Sequence, residues 1–363
     1  MTRRSARKEF FICSLMKLEH RTANAVKLLT NNTQGEARFM THAIQIYETG
    51  GPEVMKWEEV EVGEPGAGQV KLRQSAVGLN YIDVYFRMGT YPQERMPFTP
   101  GMEGAGEVVA VGDGVTHLKP GDQVAYCGAI GSYAEERVAP ADRMVKLPDG
   151  INDRTGAAMM LKGMTAAYLL LRTHKVGPDT TLLYHAAAGG VGLIVCQWAR
   201  HLGATIIGTV SSEEKAELAK THGCTHTINY KTEDFVERVK DITDGKGCDV
   251  VYDSIGKDTF PASLDCLKNY GLWATFGQSS GPLPDINMGL LAQKGCLYAT
   301  RPTLFTHIAA RADLEELSGA LFDLVSGGQV KIEINQTYGL KDAGQAHRDL
   351  EGRKTTGSTV LLP

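Results

Sequence analysis

The stretch "YHAAAGGVGLIV", Tyr184 to Val195, interrupts an aliphatic run with residues that have almost no side chain and then resumes it. Set against the pattern Gly-x-Gly-x-x-Gly, Ala187 stands in first place, with Gly189 and Gly192 in the other two. Where a buried strand passes into a helix through such residues, backbone N–H groups can come close to an anion, and the helix N-terminus adds partial positive charge. The segment Ala187, Ala188, Gly189, Gly190, Val191 and Gly192 is therefore expected to hold a dinucleotide pyrophosphate. The competing reading is a tight strand-to-helix junction with no ligand.

The end of the next strand selects the dinucleotide. A carboxylate about 20 residues beyond the glycines would bind a ribose 2′-hydroxyl. Here the text is "GTVSSEEK", with Thr209, Val210, Ser211 and Ser212 at the tip and no acid among them. Glu213 and Glu214 fall in the first turn of the following helix, where acids are ordinary. Lys215 on that turn can reach a 2′-phosphate, with Ser211 as a hydroxyl donor, so NADPH is expected over NADH.

Other reactive side chains are weaker candidates. His185 sits on a buried strand and reads as a satisfied core histidine. His222 and His226 have i, i+4 spacing, but Gly223 breaks any shared helical face, and no metal is expected there. The seven cysteines are far apart and form no Cys-x-x-Cys pair, so neither a disulfide framework nor a cysteine-rich zinc site is expected. No Gly-x-Ser-x-Gly elbow is present.

These groups need a frame. The 363 residues, 42% hydrophobic and 22% charged, suit two globular domains, and a net charge of −4 gives no general attraction to a polyanion or membrane surface. No apolar run reaches the roughly 20 residues of a membrane span. Residues 1 to 39 read as an extension, expected to be disordered. Through Met40 the segment holds eight Lys or Arg against three Glu, which leaves organelle targeting open beside a cytoplasmic location. From Met40 short alternating strands and Gly or Pro turns predict a β-rich domain. From Asp153 a helix rich in Ala, Leu and Met begins, followed by alternating strands and helices that predict a doubly wound parallel sheet. The strand "LWATFG" is read as the last of that series, preceded by a helix over "TFPASLDCLKNYG". The final strand, "STVLLP", is expected to return to the first domain.

The segments "VGLNYIDVYFRMGTYP", "PGMEGAGEVVAVGDGV", "LKGMTAAYLL", "HAAAGGVGLIVCQWA", "VVYDSIG", "FGQSSG" and "GRKTTGSTVLLP", in this order, resemble the zinc-independent quinone oxidoreductases of the medium-chain dehydrogenase/reductase superfamily, the group of zeta-crystallin. The resemblance runs from about Met40 to Pro363. It implies an α/β chain with a GroES-like catalytic domain over 40–163 and 299–363 and an inserted Rossmann NADPH-binding domain over 164–298. It also implies a homodimer. Carried onto this sequence, it adds Tyr230 and Arg353 beside Ser211 and Lys215 at the 2′-phosphate, and Thr165, Phe276 and Gly277 along the cofactor.

Zinc-dependent relatives place a cysteine and a histidine where this chain has Asn80 and Met102, so no metal is expected. Without a Lewis acid the acceptor must take a hydride or electrons readily, as a quinone or an activated alkene does. Asn80, with its amide, and Tyr85 and Tyr91, with hydroxyls and aromatic faces, are the candidates for positioning that acceptor and stabilising charge on its oxygen. The expected activity is flavin-free, NADPH-dependent quinone reduction, with enone or enal reduction as the enzymatic alternative. A structural or RNA-binding role is the non-enzymatic one. Nothing basic and aromatic-interleaved in the globular part supports nucleic acid as a partner.

Overall fold

The computed structural model describes residues 39–363. The expectation for the extension, residues 1 to 39, lies outside the described residues apart from Phe39, which opens the first strand. Strands β1 (Phe39–Ile46) and β2 (Met55–Val62) pair antiparallel. The long β3 (Gln69–Leu79) follows, and after the single residue Asn80 comes helix α1 (Tyr81–Arg87). Asn80 and Asp83 start that helix as a capping box, the Asp83 carboxylate accepting from the Asn80 N–H at 2.9 Å. Strands β4 (Glu103–Val111), β5 (Gln123–Cys127), β6 (Glu136–Pro140) and β7 (Met144–Lys146) complete the β-rich region.

Helix α2 (Asp153–Tyr168) starts at Asn152, whose side chain accepts from the Thr155 N–H, and it runs on into one π-helical turn, Leu169–Thr173. It is buried almost all round, as its near-continuous apolar sequence requires. It packs on β3, β4 and β5 with one side and on later helices with the other, and so joins the two halves of the chain.

The second half alternates as predicted as far as β11, through β8 (Thr181–Tyr184), α3 (Gly190–His201), β9 (Thr205–Val210), α4 (Glu213–Thr221), β10 (His226–Asn229), α5 (Phe235–Ile242) and β11 (Cys248–Asp253), and continues with β12 (Leu267–Thr275), α6 (Gly289–Gln293) and β13 (Tyr298–Thr300). The strands are parallel in the order β10-β9-β8-β11-β12-β13, whose chain reverses direction of travel between β8 and β11. Period-2 alternation assigns Leu182, Ile206 and Val250 to one buried face and Leu183, Ile207 and Val251 to the other, each covered by helices.

Two expectations are corrected here. The segment "TFPASLDCLKNYG" forms only a short 3₁₀ turn, Ala262–Cys266, because Pro261 precedes it and β12 already begins at Leu267. The sheet also has a sixth strand, β13, so "LWATFG" does not end the series and residue 298 falls inside a strand. Three residues are too few to show a period.

Beyond α7 (Leu304–His307) and α8 (Arg311–Ser326), β14 (Ile334–Gly339), α9 (Ala343–Glu351) and β15 (Ser358–Leu362) close the chain. β15 pairs antiparallel with β3, returning the C-terminus to the first domain and completing the order β14-β15-β3-β4-β5-β7.

Candidate functional site

A cleft of about 880 Å³ opens between the two halves, beyond the C-terminal ends of the parallel strands, where the sheet order reverses. Of the residues singled out from the sequence, Asn80, Tyr85, Tyr91, Thr165, Ala188, Gly189, Gly190, Val191, Gly192, Ser211, Lys215, Tyr230, Phe276, Gly277 and Arg353 all line it. Ala187 does not. Its side chain is fully buried, and its N–H is spent on the carbonyl of Thr209 at 3.0 Å, because the turn must pack onto β9 at this point.

The turn itself is built for close approach. The left-handed residue is Ala186, at φ 61°, ahead of the glycine pattern. A Cβ on Gly192 would meet the carbonyl oxygens of Ala186 and Ala187 at 2.5 and 2.6 Å, so only glycine lets α3 sit this tightly on the strand end. Helix α3 has Gly189 as N-cap and no side-chain cap, so no protein side chain occupies its first-turn amides, and Gly190, Val191 and Gly192 line the cleft. The chain near the C-terminus straps the turn, Gly357 N–H donating to Ala188 O at 3.1 Å.

At one end of the cleft Ser211, Lys215, Tyr230 and Arg353 converge from β9, α4, the end of β10 and the segment after α9. Lys215 Nζ donates to the Arg353 carbonyl at 2.9 Å, and the Arg353 guanidinium donates to the Tyr230 hydroxyl at 3.3 Å. Burial, helped by the positive charges of Lys231 and Arg353, pulls the Lys215 ammonium below its ordinary pKa, with Glu214 opposing. Like charges held together in this way suit a multiply charged anion. Asp258 lies 3.9 Å from Arg353 as an ion pair across the cleft.

Deeper in, Asn80 Nδ2 donates to Glu103 Oε2 at 2.7 Å, Lys162 Nζ donates to the same oxygen at 3.1 Å, and Leu161 N–H donates to Oε1 at 2.8 Å. All three side chains are buried. A carboxylate can only accept, so it is the nitrogen of the amide that faces Glu103. Asn80 therefore turns its Oδ1 away from Glu103 and toward the Asp83 N–H of its capping box, so its amide nitrogen is engaged inside the protein and not offered to the cleft as a donor.

The same geometry tests the fit of zinc. Asn80 and Met102 stand where ligands would be needed, Glu103 is committed to three donors, and an ammonium already occupies its side. This set does not fit a tetrahedral N/S site. Among the described residues no group of three or more His, Cys, Asp or Glu is placed to hold a metal ion.

The opposite wall is aromatic. Tyr85 packs edge-on against Tyr81 and Tyr91, with ring centroids 5.4 and 5.2 Å apart. Tyr85 Oη accepts from Gln278 N–H at 2.9 Å, whereas Tyr81 Oη donates to Ser279 O at 3.1 Å. Both bonds tie α1 to the loop after β12. Burial pushes the Tyr85 phenol well up, so it keeps its proton. Thr165 Oγ1 donates to Leu161 O at 2.7 Å, its hydroxyl proton being used within α2.

His185 lines the cleft but is bonded on both nitrogens, to Thr209 Oγ1 at 3.1 Å and Ser263 Oγ at 3.0 Å, and burial holds it below its usual pKa. His222 bonds Leu218 O and Glu333, while His226 is exposed. Asp83, fully buried, is pushed up to about 7 by desolvation, against the bonds from Asn80 N–H and Tyr133.

Sequence reasoning missed Lys162 and Arg301, both on the cleft wall. Lys162 had a signal, being the single charge in the run from Thr155 to Leu171. A lone charge in a buried helix must find a partner. Arg301 follows β13 and carried no signal.

Residues 66–149 match the family described as alcohol dehydrogenase GroES-like domain, and residues 190–318 that of zinc-binding dehydrogenase. A quinone oxidoreductase of Pseudomonas aeruginosa is 50% identical over 325 residues, covering 89% of this chain and all of the relative. A 2-haloacrylate reductase of a Burkholderia species is 48% identical over 332 residues, 89% of this chain and 99% of its own. Among solved structures, Escherichia coli quinone oxidoreductase complexed with NADPH superposes with a TM-score of 0.87 at 46% identity, over 89% of this chain and 100% of that one.

Proposed function

From the premise that this chain belongs to the quinone oxidoreductases of the medium-chain dehydrogenase/reductase superfamily, we propose that its cleft takes NADPH and reduces a quinone. The observation that carries the reading is the division of one cleft into a cationic end without a carboxylate on β9 and an aromatic end with a protonated phenol. When bound, NADPH supplies the hydride.

The chain's own residues do the positioning. The α3 N-terminus and the turn amides hold the pyrophosphate, and Lys215, Arg353, Tyr230 and Ser211 hold the 2′-phosphate. Thr165, Phe276 and Gly277 border the nicotinamide half. Asn80, whose amide nitrogen is held by Glu103 and whose Oδ1 accepts from Asp83 N–H in the capping box, offers the remaining lone pair of that oxygen to a donor on the cofactor. Tyr85, whose oxygen already accepts from Gln278 N–H, turns its proton toward the acceptor oxygen and stabilises the charge that develops there. Tyr91 and Phe86 offer ring faces to a flat acceptor.

The domain division follows as 40–163 with the C-terminal segment for catalysis and the inserted segment for nucleotide. The latter extends to Thr300, since β13 completes its sheet. A homodimer across the open β13 edge is part of the reading, supported by Tyr298, 62% exposed on that edge strand. Sedimentation equilibrium giving a monomer at assay concentrations would reject it.

The likeness to a 2-haloacrylate reductase favours a second reading, reduction of an activated alkene in the same cleft. Steady-state NADPH oxidation with benzoquinones and naphthoquinones, set beside enones and enals, separates the two. Turnover of quinones is expected. Inert quinones with an enal reduced would overturn the first reading in favour of the second.

A further inference from the structure

The cations on the cleft wall are not equivalent. Lys162 is neutralised by Glu103, and Lys215 and Arg353 converge at the phosphate end. Arg301 stands apart, at the acceptor end. Its Nη1 donates to Thr275 O at 3.1 Å, Thr275 Oγ1 at 3.3 Å and Gly277 O at 2.8 Å, and among the described residues no carboxylate pairs with it.

Those three bonds use one nitrogen and fix the plane of the guanidinium. The N–H groups of Nε and Nη2 are left along one edge, the edge that grips a carboxylate or sulfonate with two parallel bonds. The carbonyl that anchors Arg301 belongs to Gly277, and the next residue, Gln278, donates its N–H to Tyr85. Carbonyl and N–H of that one trans peptide point in opposite directions, so Arg301 and Tyr85 hold its two sides, and both side chains line the same cleft. Arg301 and Thr303 also form a wall shared with a second cavity of about 410 Å³, to which Thr173, Thr300 and Thr306 contribute. Thr173 Oγ1 is buried there with no partner. Arg172 in the same cavity is compensated by Asp313 at 2.9 Å and Glu316 at 3.0 Å. Space and unspent donors therefore lie around one uncompensated cation.

We infer that Arg301 is a specificity-determining residue that binds an anionic substituent on the acceptor, so that carboxylate- or sulfonate-bearing quinones and enones are preferred over neutral ones. The inference rests on the reading of the cleft as the site of NADPH-dependent reduction.

The test compares 1,4-naphthoquinone with its 2-sulfonate in the full chain and in Arg301→Met. The substitution is expected to lower kcat/KM for the sulfonate by about 10- to 100-fold, with the neutral quinone changed less than about 3-fold and the KM for NADPH unchanged. Arg301→Lys, which keeps the charge and loses the fork, is expected to fall between. An equal loss on both acceptors, or a raised KM for NADPH, would overturn the assignment. Should the wild-type chain reduce no quinone at all, the activity reading fails by itself. Calorimetric titration of the NADPH-loaded protein with naphthalene-2-sulfonate then still decides the site: weaker binding to Arg301→Met supports it, and equal binding to both rejects it.

Discussion

Lys215→Glu is expected to raise the KM for NADPH by about 100-fold or more while changing that for NADH less than about 3-fold. The 2′-phosphate carries close to two negative charges at neutral pH, and a charge-assisted hydrogen bond to such a group contributes about 1.5–3 kcal/mol. The variant removes one bond of that kind and replaces attraction by repulsion. It should not disturb the helix, because α4 begins at Ser212, whose Oγ caps the Lys215 N–H at 3.3 Å, and an acid in a first turn is favourable there. Lys215→Ala, with Arg353 and Tyr230 retained, should give about 10-fold. Steady-state kinetics with both cofactors check the result. Equal losses with NADPH and NADH would mean that Lys215 acts by holding the C-terminal segment through its bond to Arg353 O, and would sink the phosphate assignment.

Tyr85→Phe is expected to lower kcat with a quinone by about 100-fold, the range seen when one donor to a developing oxyanion is removed. Tyr81→Phe, by contrast, should change kcat by less than about 3-fold. The contrast comes from hydrogen-bond direction. Tyr81 spends its proton on Ser279 O, whereas Tyr85 accepts from Gln278 N–H and keeps its proton for the cleft. Burial holds the Tyr85 phenol protonated through any ordinary assay pH, so the wild-type rate should show no alkaline limb from this group. Both tyrosines clamp the same loop. A pair of equal losses would therefore assign Tyr85 to the clamp and remove it from the chemistry.

Helix α2 shows how far each kind of information reaches. Its existence follows from an apolar run of good helix formers behind an Asn-Asp start, all local. That Lys162 needs an anionic partner is also legible, because a lone charge in such a run cannot stay bare. That the partner is Glu103, 59 residues away, and that the same carboxylate holds Asn80, is not legible. The fate of Asn80 changes with it: its amide nitrogen is spent inside the protein, so the residue keeps its place on the cleft wall without a free donor. Ala187 shows the reverse case. Its place in the glycine pattern is visible, but whether the side chain faces ligand or β9 depends on how the turn docks.

The sequence by itself determined what depends on neighbours along the chain: strand and helix alternation, the glycine turn ahead of α3, the absence of an acid at the tip of β9, and asparagine and methionine at positions 80 and 102. Each is a matter of period, small size or residue chemistry at a fixed offset. Only the tertiary structure decided which buried charges compensate each other, which way each hydroxyl and amide is used, and that Arg301 arrives on the cleft wall behind a three-residue strand with no carboxylate paired to it among the described residues. These are properties of contacts between distant segments. In a low-dielectric interior such contacts set the protonation and direction of every polar group, and no local pattern records them.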